Sequence, residues 1–198
     1  MTGEIAKTDN KSILIVSGLP RSGTSMMMKM LEATGIQPLT DHLRQADEDN
    51  PKGYYEFERV KKLKEGDTTW LPLVGNKAVK VISALLQHLP PEYEYRVIFM
   101  QRELSEVLAS QRRMLENRGE NPDAVTDEQM AELFVRHLQQ VNTWLASQPN
   151  IQRVDVNYNQ LLRDPFPYLA HVNSLLGDNL DTEKMAAIID PDLYRQRS

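Results

Sequence analysis

Ile13-Leu14-Ile15-Val16-Ser17-Gly18-Leu19-Pro20-Arg21-Ser22-Gly23-Thr24-Ser25 is the stretch from which the rest of the fold can be worked out. Its four leading apolar residues, three of them β-branched, are typical of a strand that is covered on both faces. Gly18 and Gly23 bracket a tight turn. An almost wholly apolar helix is predicted after it, through Met26 to Leu31, with Gly35 as its stop. The stretch therefore predicts a buried strand, a loop and a buried helix.

The loop between Gly18 and Gly23 has the chemistry of an anion site. Backbone N–H groups in such a loop converge at the positive end of a helix dipole, where phosphate groups bind most often. The spacing of the two glycines matches the nucleotide-binding loop G-x-x-x-x-G-K-[ST], but Thr24 occupies the position of the Lys. Arg21 is the only cation in the loop. The alternative interpretation is an ordinary tight turn built from small residues.

The composition sets limits on the class of protein. A length of 198 residues indicates a single domain, 1–198, in which residues 1–11 are expected to be a frayed polar tail. The absence of Cys excludes disulfides and cysteine metal sites. No apolar run approaches a membrane span and no signal peptide is recognisable, so a cytoplasmic protein with no membrane partner is expected. The net charge of −5 argues against a nucleic-acid partner.

Strands and helices are predicted to alternate along the chain. Further strands are expected at 78–82, 96–100 and 153–157, and further helices at 57–64, 104–117, 126–147, 158–163 and 165–176, with a last one from 182. This alternation predicts an α/β, P-loop-like three-layer fold with a central parallel β-sheet flanked by helices. Ligands of such sheets bind beyond the carboxyl ends of the strands. The loop 18–25, Lys80 and Arg102 are all expected at that edge.

Arg102 and Ser110 form a second candidate anion site. Arg102 follows a predicted strand, and Ser110 lies two helical turns further on. Because helical side chains lean toward the helix N-terminus, the Ser110 hydroxyl is expected to return toward the Arg102 guanidinium. Two anion sites at neighbouring strand ends, separate from each other, fit a ligand with two separated phosphates. Taken alone, each side chain also fits a structural role, as a capping Arg or as a Ser bonded to its own helix.

These motifs resemble those of the sulfotransferase family that uses 3′-phosphoadenosine 5′-phosphosulfate, and most of all its small bacterial members. The family's 5′-phosphosulfate loop is similar to Pro20-Arg21-Ser22-Gly23-Thr24-Ser25. Its 3′-phosphate motif has an Arg at a strand end and a Ser eight residues on, as Arg102 and Ser110 are. Residues 156–165 resemble the family's late strand–Tyr–helix–Asp-Pro passage. The resemblance covers residues 12–177, and the C-terminal Arg-Lys-Gly motif of the longer animal enzymes is absent.

The resemblance implies an enzyme that moves a sulfuryl group to a hydroxyl or amine of a small-molecule acceptor by in-line displacement. Arg21 would stabilise the charge on the leaving phosphate, and adenosine 3′,5′-bisphosphate would be the product. The scheme needs no metal. Residues 36–75 would form an insertion or lid on the acceptor side. The cofactor-binding residues that the resemblance implies are Arg21, Ser22, Gly23, Thr24, Ser25, Arg102 and Ser110.

A general base is also expected, because the acceptor must lose a proton. Relatives use a His or a Glu, and His42, Glu56 and Glu58 all lie in the polar connection after the first helix. Glu56 is the expected base because it follows two aromatic residues and a turn, which would partly desolvate it and make it a stronger base. Its alternative role is that of a solvated carboxylate at a helix start.

Two other functions remain open at the level of sequence. The loop also fits a P-loop nucleotide kinase or NTPase with a degenerate motif, although such enzymes place a magnesium-binding Asp on a neighbouring strand. A non-catalytic binder of adenosine 3′,5′-bisphosphate would need the same two anion sites. Lys80 either joins the sulfonate site or is a surface Lys at a strand end, and His137 is expected to be a hydrogen-bonded core residue.

Overall fold

The computed structural model describes residues 12–41 and 55–189. These residues contain four strands and six α-helices, which follow one another along the chain. In chain order they are β1 (Ile13–Gly18), α1 (Thr24–Ala33), β2 (Ala78–Lys80), β3 (Tyr95–Gln101), α2 (Leu104–Asn117), α3 (Asp127–Ala146), β4 (Ile151–Asn157), α4 (Tyr158–Arg163), α5 (Phe166–Leu175) and α6 (Thr182–Ala186). Three 3₁₀ helices span Glu58–Glu65, Leu71–Leu73 and Ser83–His88.

The four strands form one parallel sheet in the order β2-β1-β3-β4. Val16 of β1 pairs with Lys80 of β2, and Gly18 pairs with Met100 of β3. Because all strands run in the same direction, their carboxyl ends meet at a single edge of the sheet. The predicted α/β fold with a central parallel sheet flanked by helices is confirmed.

Both faces of the sheet are covered by buried apolar side chains. Successive residues of a strand point to opposite faces, so Ile13 and Ile15 belong to one hydrophobic cluster and Leu14 and Val16 to another. The first cluster also contains Trp70, Leu71, Leu86, Val97, Phe99, Val141 and Leu145. The second cluster also contains Met27, Met28, Met30, Leu31, Leu161, Leu169, Val172 and Met185. The sheet is therefore the middle of three layers.

Several element boundaries differ from those predicted. α1 begins at Thr24 instead of Met26, so the helix starts directly at the loop. β2 is shorter than expected and ends at Lys80, because a 3₁₀ helix begins at Ser83. The predicted helix 57–64 is also a 3₁₀ helix. α5 was predicted to have Pro165 as its first residue, but Pro165 is its N-cap and α5 begins at Phe166.

The predicted insertion, residues 36–75, contributes to the core where it is described. The Ala78 N–H donates to the Gln37 carbonyl at 3.0 Å, and the Leu39 N–H donates to the Ala78 carbonyl at 2.8 Å. This pairing follows the outer edge of β2. Val60, Leu63, Trp70, Leu71 and Val74 are buried in the first cluster. An acceptor-side role for the segment stays a prediction.

Two of the sequence-based expectations concern residues outside those described. The tail 1–11 is one, and His42 as an alternative base is the other. Among residues 12–41 and 55–189, no helix combines the length and the apolar character needed to cross a membrane.

Candidate active site

The loop between β1 and α1 depends on close backbone approach at two glycines. A Cβ at Gly18 would lie 2.5 Å from the Met100 carbonyl oxygen, and a Cβ at Gly23 would lie 2.4 Å from the ring of Tyr158. Gly18 has φ 148° and Gly23 has φ 96°, a region that L side chains rarely adopt. The two glycines therefore bring the loop against β3 and α4, at the carboxyl edge of the sheet.

Arg21 lies at the centre of the loop and links it to α2. Its backbone has φ 70°, an unusual left-handed conformation for a non-glycine residue. Its Nε donates to the Ser110 Oγ at 2.8 Å. Arg102 Nη1 donates to the Arg21 carbonyl oxygen at 3.0 Å. The two predicted anion sites are therefore in direct contact, instead of separate as the sequence had indicated.

The small polar residues of the loop divide into two groups. The Ser22 hydroxyl is buried and donates to the Leu19 carbonyl at 2.7 Å, so it closes the loop internally. The first backbone bond of α1 runs from the Met27 N–H to the Gly23 carbonyl at 3.1 Å. The N–H groups of Thr24 and Ser25 thus belong to the first turn of α1, where the helix itself supplies no acceptor. That turn carries the positive end of the helix dipole.

Arg102 is almost fully buried and held on several sides. Its Nε donates to Glu106 Oε2 at 2.8 Å, and its guanidinium carbon lies 4.6 Å from the centre of the Tyr158 ring. The other oxygen of the Glu106 carboxylate, Oε1, accepts from Asn159 Nδ2 at 2.8 Å. Sequence reasoning missed Glu106 and Asn159. The opposite charges of Arg102 and Glu106 at i, i+4 were the available signal for Glu106.

Lys80 and Glu56 come together beside the first turn of α1. Lys80 Nζ lies 3.5 Å from Ser25 Oγ and 3.9 Å from Glu56 Oε1, and its side chain is almost fully buried. Lys61 Nζ lies 3.9 Å from Glu56 Oε2. The side chain of Glu56 is 20% exposed, whereas that of Glu58 is 43% exposed and pairs with Lys61 at 2.6 Å. Glu56 therefore lies beside Lys80 at a strand end, and Lys80 in turn reaches Ser25 of the loop.

The backbone around Glu56 is fixed by neighbouring residues. Thr40 Oγ1 donates to the Glu56 carbonyl oxygen at 2.8 Å. Tyr55 has φ 53°, and its hydroxyl donates to Glu32 Oε2 at 2.7 Å. Burial, reinforced by the Glu32 carboxylate, raises the pKa of the Tyr55 hydroxyl, so this hydroxyl stays a donor. These contacts tie Glu56 to α1.

His137 lies on α3 and contacts a different part of the edge. Its Nε2 is 2.8 Å from Ser83 Oγ, and the imidazole is half-buried. Burial lowers the pKa of His137, which favours the neutral ring. A neutral imidazole next to a buried hydroxyl fits the hydrogen-bonded core His that the sequence predicted.

Comparison with solved structures identifies the fold. The sulfotransferase domain of the olefin synthase from Synechococcus PCC 7002 aligns with a TM-score of 0.53 at 17% identity, over 99% of this chain and 88% of that one. The sulfotransferase domain from the curacin biosynthetic pathway aligns with a TM-score of 0.51 at 16% identity, over 94% of this chain and 78% of that one. The chain thus has the sulfotransferase fold.

A mammalian enzyme shares the same architecture. Mouse sulfotransferase SULT7A1, solved in complex with PAP, aligns with a TM-score of 0.51 at 17% identity. The alignment covers 90% of this chain and 62% of that chain. No family model and no curated protein matches the sequence. At these identities the similarity is one of fold alone.

Proposed function

We propose that this chain is a sulfotransferase that moves a sulfuryl group from 3′-phosphoadenosine 5′-phosphosulfate to a hydroxyl or amine acceptor. The observation that carries the proposal is the contact between the two anion motifs. Arg102 Nη1 lies 3.0 Å from the Arg21 carbonyl although the two residues are 81 positions apart. Two arginines thus meet at the carboxyl edge of a sulfotransferase fold, next to the positive end of α1.

The residues at this edge fit a nucleotide with two phosphate groups. A guanidinium has five N–H donors, and Arg102 uses two of them on Glu106 and the Arg21 carbonyl. Within residues 12–41 and 55–189, its three other donors remain for a phosphate, which supports Arg102, with Ser110, as the 3′-phosphate site. Gly23 has no side chain, which lets the Tyr158 ring pack directly against the loop. The backbone N–H groups of Thr24 and Ser25, in the first turn of α1, are the donors for a 5′-phosphate.

Each polar residue then has a distinct role in transfer. The bound donor supplies the sulfuryl group and a phosphate leaving group. Arg21 stabilises the negative charge that builds on that phosphate, and Lys80 adds a second positive charge beside Ser25. Glu56 takes the proton of the acceptor. This role is supported by its side chain being less exposed than that of Glu58, and by its position 3.9 Å from Lys80, beside the proposed phosphate site. Alignment of acceptor and donor supplies much of the remaining rate enhancement.

Nucleotide-dependent thermal stability tests the choice of donor. We expect adenosine 3′,5′-bisphosphate to raise the melting temperature in a concentration-dependent manner, because it binds only the folded state. ATP with Mg²⁺ should raise it much less at equal concentration. Stabilisation by ATP with Mg²⁺ alone would reject the sulfotransferase proposal and favour a kinase or NTPase.

Transfer of labelled sulfate separates an enzyme from a binding protein. The labelled donor is incubated with the protein and a panel of phenols, aliphatic alcohols and amines, and labelled products are resolved by chromatography. Protein-dependent labelling of at least one acceptor class is expected. Binding of adenosine 3′,5′-bisphosphate without any transfer would instead identify a non-catalytic binder.

A further inference from the structure

A buried carboxylate lies behind the proposed 3′-phosphate site. The Glu106 side chain is 2% exposed. Both of its oxygens receive hydrogen bonds, Oε2 from Arg102 Nε and Oε1 from Asn159 Nδ2, each at 2.8 Å. Burying a charge is costly unless it is paired and hydrogen-bonded. The Glu106–Arg102 ion pair meets this condition, because Asn159 also holds the carboxylate. The pair lies between the end of β3 and the first turn of α2.

The partner of Glu106 on the far side is itself fixed. Asn159 Oδ1 accepts a hydrogen bond from the Glu103 N–H at 3.1 Å. That bond sets the orientation of the amide, because an oxygen facing the N–H leaves the Nδ2 group facing Glu106. The chain of contacts therefore runs from the backbone at the start of α2, through Asn159, to Glu106 and on to Arg102.

Three contacts then define the plane of the Arg102 guanidinium. Glu106 holds Nε, the Arg21 carbonyl holds Nη1, and the ring of Tyr158 lies 4.6 Å from the guanidinium carbon. A planar group that is held at two nitrogens and lies over an aromatic ring is fixed in its orientation. Its remaining N–H groups are thereby aimed in one direction, and Arg21 in the loop is braced through the same side chain.

We propose that Glu106, set by Asn159, is a positioning residue that aims Arg102 at the 3′-phosphate of the nucleotide. This inference rests on the proposed function, since it concerns the same site. Glu106 does not touch the ligand and acts through Arg102. It adds specificity for nucleotides with a 3′-phosphate over those without one.

Glu106→Gln is the direct test. The amide has the shape of the carboxylate but presents one donor and one acceptor. The Gln oxygen can accept a hydrogen bond from Arg102 or from Asn159, but not from both. The Gln NH₂ group then faces the N–H of the remaining partner, so two donors meet without an acceptor. Affinities for adenosine 3′,5′-bisphosphate and for AMP, which lacks the 3′-phosphate, are measured by calorimetry. The ratio of the two affinities should fall about tenfold, the worth of one charge-assisted hydrogen bond.

A matched control and a rescue make the result specific. Glu116→Gln is the same chemical change on the exposed, distal part of α2 and should leave the ratio unchanged. The double variant Glu106→Gln with Asn159→Asp moves the charge to position 159 and restores every donor–acceptor pair. It should recover most of the ratio, and it provides the test if Glu106→Gln alone does not fold.

The outcomes separate the two proposals. If the unmodified protein binds adenosine 3′,5′-bisphosphate no better than AMP, the proposed function fails. If the unmodified protein shows the preference and folded Glu106→Gln keeps it in full, the positioning role of Glu106 is overturned. Equal losses of affinity for both nucleotides, with an unchanged ratio, also overturn it. A folded double variant without recovery contradicts the hydrogen-bond mechanism.

Discussion

At the scale of single residues, the candidate site contains a cluster of opposite charges around Glu56. Glu56 lies between two ammonium groups, with Lys80 and Lys61 each 3.9 Å from one carboxylate oxygen. Lys80 also contacts Ser25 in the loop at 3.5 Å. A proton taken up by Glu56 would leave the two lysines with less compensating charge, next to the developing charge of the leaving phosphate. In the proposed reaction, proton transfer to Glu56 and stabilisation of the leaving phosphate would therefore be coupled through Lys80.

Exchange of Glu56 for Gln tests the base directly. Turnover of Glu56→Gln should fall by about 10²–10⁴-fold, the usual contribution of general base catalysis, because the amide cannot accept the acceptor's proton. Affinity for adenosine 3′,5′-bisphosphate should change little. Glu58→Gln is the control. It removes the same charge two positions further along the chain, from a carboxylate that also pairs with Lys61. A near-normal rate in Glu56→Gln, or an equal loss in Glu58→Gln, would reject the assignment.

Residue spacing indicated several residues of the candidate site but not the contacts that join them. Arg21 and Arg102 could be named because each follows a predicted strand, and Ser110 because it lies two helical turns after Arg102. The links between them could not, because the Arg21–Ser110 bond joins residues 89 positions apart and the Asn159–Glu106 bond joins residues 53 apart. Such pairings depend on how α2 and α4 approach the loop, which no local pattern encodes.

At the scale of elements, α1 offers a test of what the loop requires. The helix is bracketed by Gly23 at its N-cap and by Gly35 just after its C-cap, and both have φ 96°. They differ in their surroundings. A Cβ at Gly23 would lie 2.4 Å from the Tyr158 ring, whereas a Cβ at Gly35 meets nothing within 4 Å.

Alanine at each glycine separates backbone strain from steric exclusion. Gly35→Ala should lower the free energy of unfolding by about 1–2 kcal/mol, the cost of a left-handed backbone at a residue with a side chain. Gly23→Ala should lower it by that amount plus about 1–3 kcal/mol for the overlap with the Tyr158 ring. It should also weaken nucleotide binding, because the loop must move. Urea unfolding and calorimetry measure the two effects, and equal values for the two variants would contradict the role of Tyr158.

Elements with local signals were the best predicted ones. Thr126 and Gln129 have the T-x-x-Q spacing that is a sequence signal for a capping box. Both bonds of that box are present at the start of α3, where the Thr126 hydroxyl accepts from the Gln129 N–H and the Gln129 side chain accepts from the Thr126 N–H. The type of the short helix Glu58–Glu65 was missed. Its apolar residues Val60 and Leu63 are three apart, a spacing that fits both α and 3₁₀ geometry. Both residues pack into the first cluster.

At the scale of the whole molecule, the sheet joins two hydrophobic clusters, one on each of its faces. Alternate residues of β1 and β3 enter opposite clusters, as Val97 and Ile98 do. A substitution in one cluster therefore affects the same strands that support the other cluster. The carboxyl edge, where the candidate site lies, depends on both layers. Because both clusters are built on the same strands, we expect them to unfold cooperatively.

Leu169→Ala, in the second cluster, tests this cooperativity with a built-in reporter. Leu169 is fully buried, so its truncation should cost about 2–5 kcal/mol. Both tryptophans report on the other face, because Trp70 lies in the first cluster and Trp144 packs against it. In urea, tryptophan fluorescence and far-ultraviolet circular dichroism should therefore shift together to a lower midpoint. Leu73→Ala, at an exposed leucine, should change the free energy of unfolding from either probe by no more than about 0.5 kcal/mol. A fluorescence midpoint that stays in place while the dichroism midpoint falls would show that the two faces unfold separately.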